Sequence, residues 1–123
     1  MHARKPKLNF ILSLRFFLSE MNLLIRSPVF LLLTLLGNFL IGIFCVVFYF
    51  LEHEINPRIH GFIDALWWGF ATATTTGYGD ITPVTFQGKC LGILLMLTGM
   101  ALFAMFTALF AETILASSKQ YKV

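Results

Sequence analysis

Two stretches of this chain carry no Asp, Glu, Lys or Arg: 25 residues between Arg26 and Glu52, and 22 between Lys89 and Glu112. A helix needs about 20 predominantly apolar residues to cross about 30 Å of bilayer hydrocarbon. The two gaps therefore predict two spanning helices. The outer one covers residues 29–51. The inner one has its uncharged centre at 90–111, and its helix extends over 85–116. Composition agrees. Apolar residues make up 58% of the 123 positions and charged residues only 12%, where a soluble domain devotes about a quarter to charge. A disordered chain has the opposite balance. The class this leaves is an integral membrane protein with room for one domain.

The few charges set the topology. Arg4, Lys5, Lys7, Arg15 and Arg26 precede the first gap, opposed by Glu20, and Lys119 and Lys122 follow the second, near Glu112. Between the gaps lie Glu52, Glu54, Asp64 and Asp80 against Arg58 and Lys89. Basic flanks stay in the cytoplasm, which predicts a multi-pass cell-membrane protein with both termini inside and residues 52–89 outside. The charged start is not a cleaved signal, because Arg15, Glu20 and Arg26 interrupt the apolar run and no small-residue cleavage site follows. No basic run is dense enough to bind nucleic acid. Within residues 1–28, Phe10, Leu14, Phe17, Met21 and Leu24 recur at steps of four and three. Leu8 to Ile25 thus reads as an amphipathic helix in the cytoplasmic interface, its basic residues facing anionic lipid. Ser27 and Pro28 then restart a helix as cap and first turn.

Residues 52–61 are polar and rich in turn formers, which predicts an exposed loop. His53, His60, Glu52 and Glu54 there match no metal-ligand spacing. Residues 62–74 have helical character but would reach only about 20 Å, so the segment is expected to re-enter rather than span. Thr74-Thr75-Thr76-Gly77-Tyr78-Gly79-Asp80 follows. Threonine and tyrosine favour extended backbone, and the alternating glycines tolerate positive φ. Alternating handedness turns successive carbonyls to one side, where they can replace the hydration shell of a cation. One chain offers too few oxygens, so symmetric copies must complete each cage.

Thr75-Thr76-Gly77-Tyr78-Gly79-Asp80 resembles the selectivity filter of potassium channels, with Thr76 where the commonest filter has valine. Leu66-Trp67-Trp68 before it, Thr82-Pro83-Val84-Thr85 after it and Gly99 in the inner span extend the resemblance over about residues 29–116, closest to bacterial two-span channels. It implies an all-α membrane protein: two transmembrane helices with a re-entrant pore helix (62–74) and an extended filter (75–79), assembled as a homotetramer. The permeant ion would be K+, bound by Thr75, Thr76, Gly77 and Tyr78, with Gly79 at the outer mouth. Trp67 would brace Asp80, and Trp68 the Tyr78 hydroxyl, although the pair could also anchor in the interface. Some relatives carry a glutamate behind the filter where this chain has Ala71.

The resemblance makes Met100, Phe103, Thr107 and Ala111 the cavity and gate lining. It makes Gly99 a gating hinge, with a packing glycine as the rival account. Glu112 fits either a ring at the cytoplasmic mouth or a solvated helix end. Cys45 and Cys90 read as buried thiols. A weakly selective cation pore and a membrane anchor are the other readings. An enzyme is excluded, for want of a phosphate-binding loop, paired catalytic carboxylates or a nucleophile–base pair. No charged voltage-sensing helix is present. Residues 117–123 read as a cytoplasmic tail, and the resemblance fits either a small complete channel or the pore of a larger one with cytosolic regulatory domains outside this chain.

Overall fold

The computed structural model describes residues 6–120, with side chains from 12 to 116. Arg4, Lys5 and residues 121–123 lie outside the described residues, as do the side chains of Lys7, Phe10 and Lys119. Among the described residues the regular elements are four helices: α1 (Pro6–Ile25), α2 (Pro28–Glu52), α3 (Phe62–Ala73) and α4 (Phe86–Gln120). Ser27 caps α2 as its sequence suggests, its Oγ accepting the Phe30 N–H at 3.2 Å, with Pro28 in the first turn. α2 and the Phe86–Ala116 part of α4 are long and apolar enough to cross a membrane. Within their most apolar windows only 17% and 11% of the residues are buried inside the chain. The rest of that apolar surface needs cover other than water.

The chain divides into two compact units, one from the residues up to Leu32 and from Phe106 onward, the other Leu33–Met105. In the first, Phe30 meets Phe106 and Phe110 edge-on, with ring centroids 5.6 and 6.1 Å apart, and Leu24 is buried.

The second unit holds the core. Phe48 of α2 lies flat on Trp68 of α3, centroids 3.5 Å apart and planes within 10°. Ile41, Cys45, Ile59, Ala65, Ala73 and Leu95 close around them. α3 is thus held between the two long helices. Its 12 residues rise about 18 Å, well short of a bilayer core. The chain ends this helix one residue earlier than its sequence suggests, with Thr74 as the C-cap. Of the two cysteines, Cys45 is buried as expected but Cys90 is exposed, and neither is bonded. Cys90 sits on the side of α4 away from the core, a position that an unbroken apolar run does not reveal.

Gly69 marks a close approach of α3 to α2, because a Cβ there would collide with the Cys45 sulfur. Gly42 has open space around it. Gly69→Ala should therefore lower the thermal stability of the purified protein, at an overpacking cost of about 1–3 kcal/mol. Gly42→Ala should leave stability unchanged or raise it by up to about 1 kcal/mol.

Candidate functional site

α3 is fixed at its start by Asp64, whose Oδ2 accepts the backbone N–H groups of His60 at 2.7 Å and Gly61 at 3.1 Å. That carboxylate also suits the positive end of the helix dipole. At the other end the helix unwinds in steps. Thr74 N–H donates to Phe70 O, Thr75 N–H to Thr72 O, and Gly77 N–H reaches back to Ala71 O at 3.0 Å. Beyond this the backbone alternates. Thr75, Gly77 and Gly79 have φ of 62°, 57° and 76°, while Thr76 and Tyr78 have negative φ. The glycines adopt this at little cost. Thr75 has a Cβ, and a left-handed residue of that kind costs about 1–2 kcal/mol. Strain concentrated at one residue of a polar segment marks the segment as functional.

The consequence is a row of free acceptors. The carbonyl oxygens of Thr75, Thr76, Gly77 and Tyr78 accept no hydrogen bond from any described residue, and the Thr75 hydroxyl is equally unengaged. Thr76 differs: its Oγ1 lies 2.9 Å from the Thr74 Oγ1, which itself donates to Phe70 O at 2.7 Å. The extra hydroxyl at this position is tied to the end of α3. Thr76 and Thr74 share a recess of about 200 Å³ with Trp67, Phe70, Ala71 and Tyr78.

Trp67 contacts the segment at two points. Its Nε1 donates to Asp80 Oδ2 at 2.7 Å. It also stacks on Tyr78, centroids 5.2 Å apart and planes within 7°. Trp68 lies in the core of its own chain. Within the chain it does not reach the Tyr78 hydroxyl, because one residue along a helix turns the side chain by about 100°, and its face is laid against Phe48 in the core.

A second layer of support lies in residues read from the sequence as a solvated loop. Glu52 is the last residue of α2 and is wholly buried. Its Oε1 accepts Thr85 N–H at 2.8 Å and Thr85 Oγ1 at 2.6 Å. Its Oε2 accepts Val84 N–H at 2.8 Å and Asn56 Nδ2 at 3.0 Å. Asn56, also buried, donates onward to Thr82 O at 2.9 Å, and its Oδ1 accepts Arg58 N–H at 3.2 Å. Arg58 Nη1 donates to Asp80 O at 2.7 Å and, at the long limit of 3.5 Å, to Gly79 O. Residues 52, 56 and 58 thus grip residues 84–85, 82 and 79–80 in antiparallel order. Gly88 leaves room for the carboxylate, since a Cβ there would strike Glu52 Oε1. Partners 33 residues apart leave no local signal, and a glutamate closing an apolar run reads as a boundary charge.

On α4, Gly99 has a packing cause. A Cβ there would meet the Ala73 backbone, 2.7 Å from its Cα and 2.8 Å from its carbonyl carbon. The end of α3, where the alternating segment begins, rests directly on this glycine. Met100, Phe103, Thr107 and Ala111 are each exposed in the single chain, as is Glu112.

Residues 30–116 match a protein family described as ion channel. Over 63 residues the chain is 48% identical to a voltage-gated potassium channel of Aeropyrum pernix, covering 50% of this chain and 21% of that protein. Over 79 residues it is 35% identical to a cyclic nucleotide-gated potassium channel of Mesorhizobium japonicum, covering 63% of this chain and 22% of that one. The chain therefore spans about a fifth of the length of these relatives. Among solved structures it is similar to the pore module of a voltage-gated K+ channel in a closed state in lipid membranes. The TM-score is 0.62 and the identity 38%, covering 72% of this chain and 93% of that one.

The buried carboxylate gives a sharp test. Glu52→Gln puts an amide where four donors converge, and each donor left unpaired costs about 1–3 kcal/mol. Thermal unfolding of the purified protein should show a large drop for Glu52→Gln and none for the exposed Glu54→Gln.

Proposed function

The chain belongs to the ion channel family, and we propose that it forms the potassium-selective pore of a homotetrameric channel in the cell membrane, conducting K+ passively. The observation that carries this reading is the run of four consecutive carbonyls, Thr75 to Tyr78, left by alternating backbone handedness without hydrogen-bond donors among the described residues. Unpaired backbone carbonyls at membrane depth are costly unless they line a polar path. A dehydrated cation satisfies them, and they in turn replace its water. Four chains around one axis supply enough oxygens for each ion, with the Thr75 hydroxyls closing the innermost cage and Gly79 shaping the exit. Adjacent occupied sites repel, so an entering ion displaces the next.

The helix geometry favours the same charge. The C-terminal end of α3 carries about half a negative charge. Four such ends directed at a shared cavity stabilise a cation there without any acidic side chain. In this arrangement Met100, Phe103, Thr107 and Ala111 line the cavity and gate, and Glu112 lies at the cytoplasmic mouth. Both termini face the cytoplasm, where the basic N-terminal helix meets anionic lipid and regulatory domains on other segments or chains would act. Gly99 serves first as the seat of α3, and any bending at this point follows from the weak helix propensity of glycine.

Thr76 separates the selective pore from a weakly selective one. Its hydroxyl is engaged with Thr74, which leaves its carbonyl to do the same work that a valine's would. In planar bilayers under opposing potassium and sodium gradients, the reversal potential should follow potassium for the wild type and equally for Thr76→Val. A wild-type reversal potential that tracks sodium would refute the selective reading. A membrane anchor would carry no current.

A further inference from the structure

Arg58 lies outside the core and the filter, yet its guanidinium is fixed at the filter exit. Its backbone is held by Asn56, and its Nη1 reaches the Asp80 carbonyl at 2.7 Å and the Gly79 carbonyl at 3.5 Å. The side chain is exposed. Its contacts are with neutral carbonyl oxygens, and the Asp80 carboxylate is turned to the Trp67 indole instead, 2.7 Å from its Nε1. The positive charge is therefore held at the exit without a carboxylate bonded to it among the described residues.

We propose that Arg58 is a permeation-determining residue, which places a positive charge beside the outermost carbonyls and lowers the supply of cations entering from the external side. The inference rests on the tetrameric pore reading. Four copies of the chain put four guanidinium groups around one exit. Charges lining a mouth raise or lower the local concentration of a permeant ion according to sign. Here the guanidinium offsets the attraction that the Asp80 carboxylate at the same exit exerts on potassium. Inward current suffers, whereas outward current is fed from the far end and is unaffected at entry.

Salt separates a field from a change of shape. The Debye length is about 30 Å at 0.01 M salt and about 3 Å at 1 M, so a field effect fades over that range and a distorted filter does not. The test is unitary current from the reconstituted protein in symmetric KCl, at about 0.01 M and 1 M. Unitary current reports the open pore and is independent of how often it opens. Wild type, Arg58→Gln and Arg58→Lys are compared. Arg58→Gln should raise inward unitary current about twofold or more at low salt, leave outward current unchanged, and match wild type at high salt. Arg58→Lys keeps the charge and should retain the wild-type ratio of inward to outward current. Equal inward currents for wild type and Arg58→Gln at low salt would overturn the proposal. So would a gain that persists at 1 M, or Arg58→Lys behaving as Arg58→Gln. A wild type that carries no potassium current would overturn the pore reading and this inference with it, whereas a conducting wild type with unmoved variants overturns this inference alone.

Discussion

A peptide carbonyl taken out of water must find a partner, and the segment from Thr75 to Tyr78 has four that find none among the described residues. A helix would pair them, and a sheet would pair them with a neighbour. The alternation of left- and right-handed backbone at Thr75, Thr76, Gly77, Tyr78 and Gly79 prevents both. Much of the remaining architecture maintains that state. α3 delivers the chain to the start of the segment and ends on a glycine seat at Gly99, too close for any side chain. Trp67 holds Asp80 at the far end while its ring supports Tyr78.

The strain at Thr75 persists because its surroundings over-determine it. The Gly77 N–H is drawn back to Ala71 O, and the Thr74 and Thr76 hydroxyls close a bridge across the turn. The strap from Glu52 through Asn56 to Arg58 fixes the chain as it leaves, from Gly79 to Thr85. A buried carboxylate with four donors is well satisfied, and breaking such a group exposes every one of those donors to an apolar surround. The long helices act at a different scale. They present mostly exposed apolar surface, which fits lipid on one side and further copies of the chain on the other.

The spans are legible in the sequence because charge is so costly in a bilayer, and an uncharged run of 25 residues is rare outside one. The two glycines and flanking threonines disclose the alternating segment, since positive φ is cheap at glycine. Thr75 is less legible, because nothing local says that a β-branched residue will adopt the left-handed region. The Trp67 contact follows from resemblance, whereas Trp68 takes a different neighbour within the chain from the one the resemblance implies. Adjacent tryptophans on a helix face different ways, and only the position of Phe48 decides which one enters the core. Glu52, Asn56 and Arg58 escape sequence reasoning for a related reason. Their partners lie 21 to 33 residues away, and in sequence they look like any polar loop. Gly99 is visible as a glycine in mid-helix, but its cause, the Ala73 backbone, belongs to another element.

The central claim is that the unpaired carbonyls from Thr75 to Tyr78 bind dehydrated cations in a row. Crystals of the membrane-extracted protein grown in rubidium chloride test this directly, because rubidium scatters anomalously and substitutes for potassium. The account predicts anomalous peaks in line on a fourfold axis, each between successive layers of carbonyl oxygens from Thr75 to Tyr78. An axis without peaks, or carbonyls turned away from it in a fully assembled protein, would contradict the account.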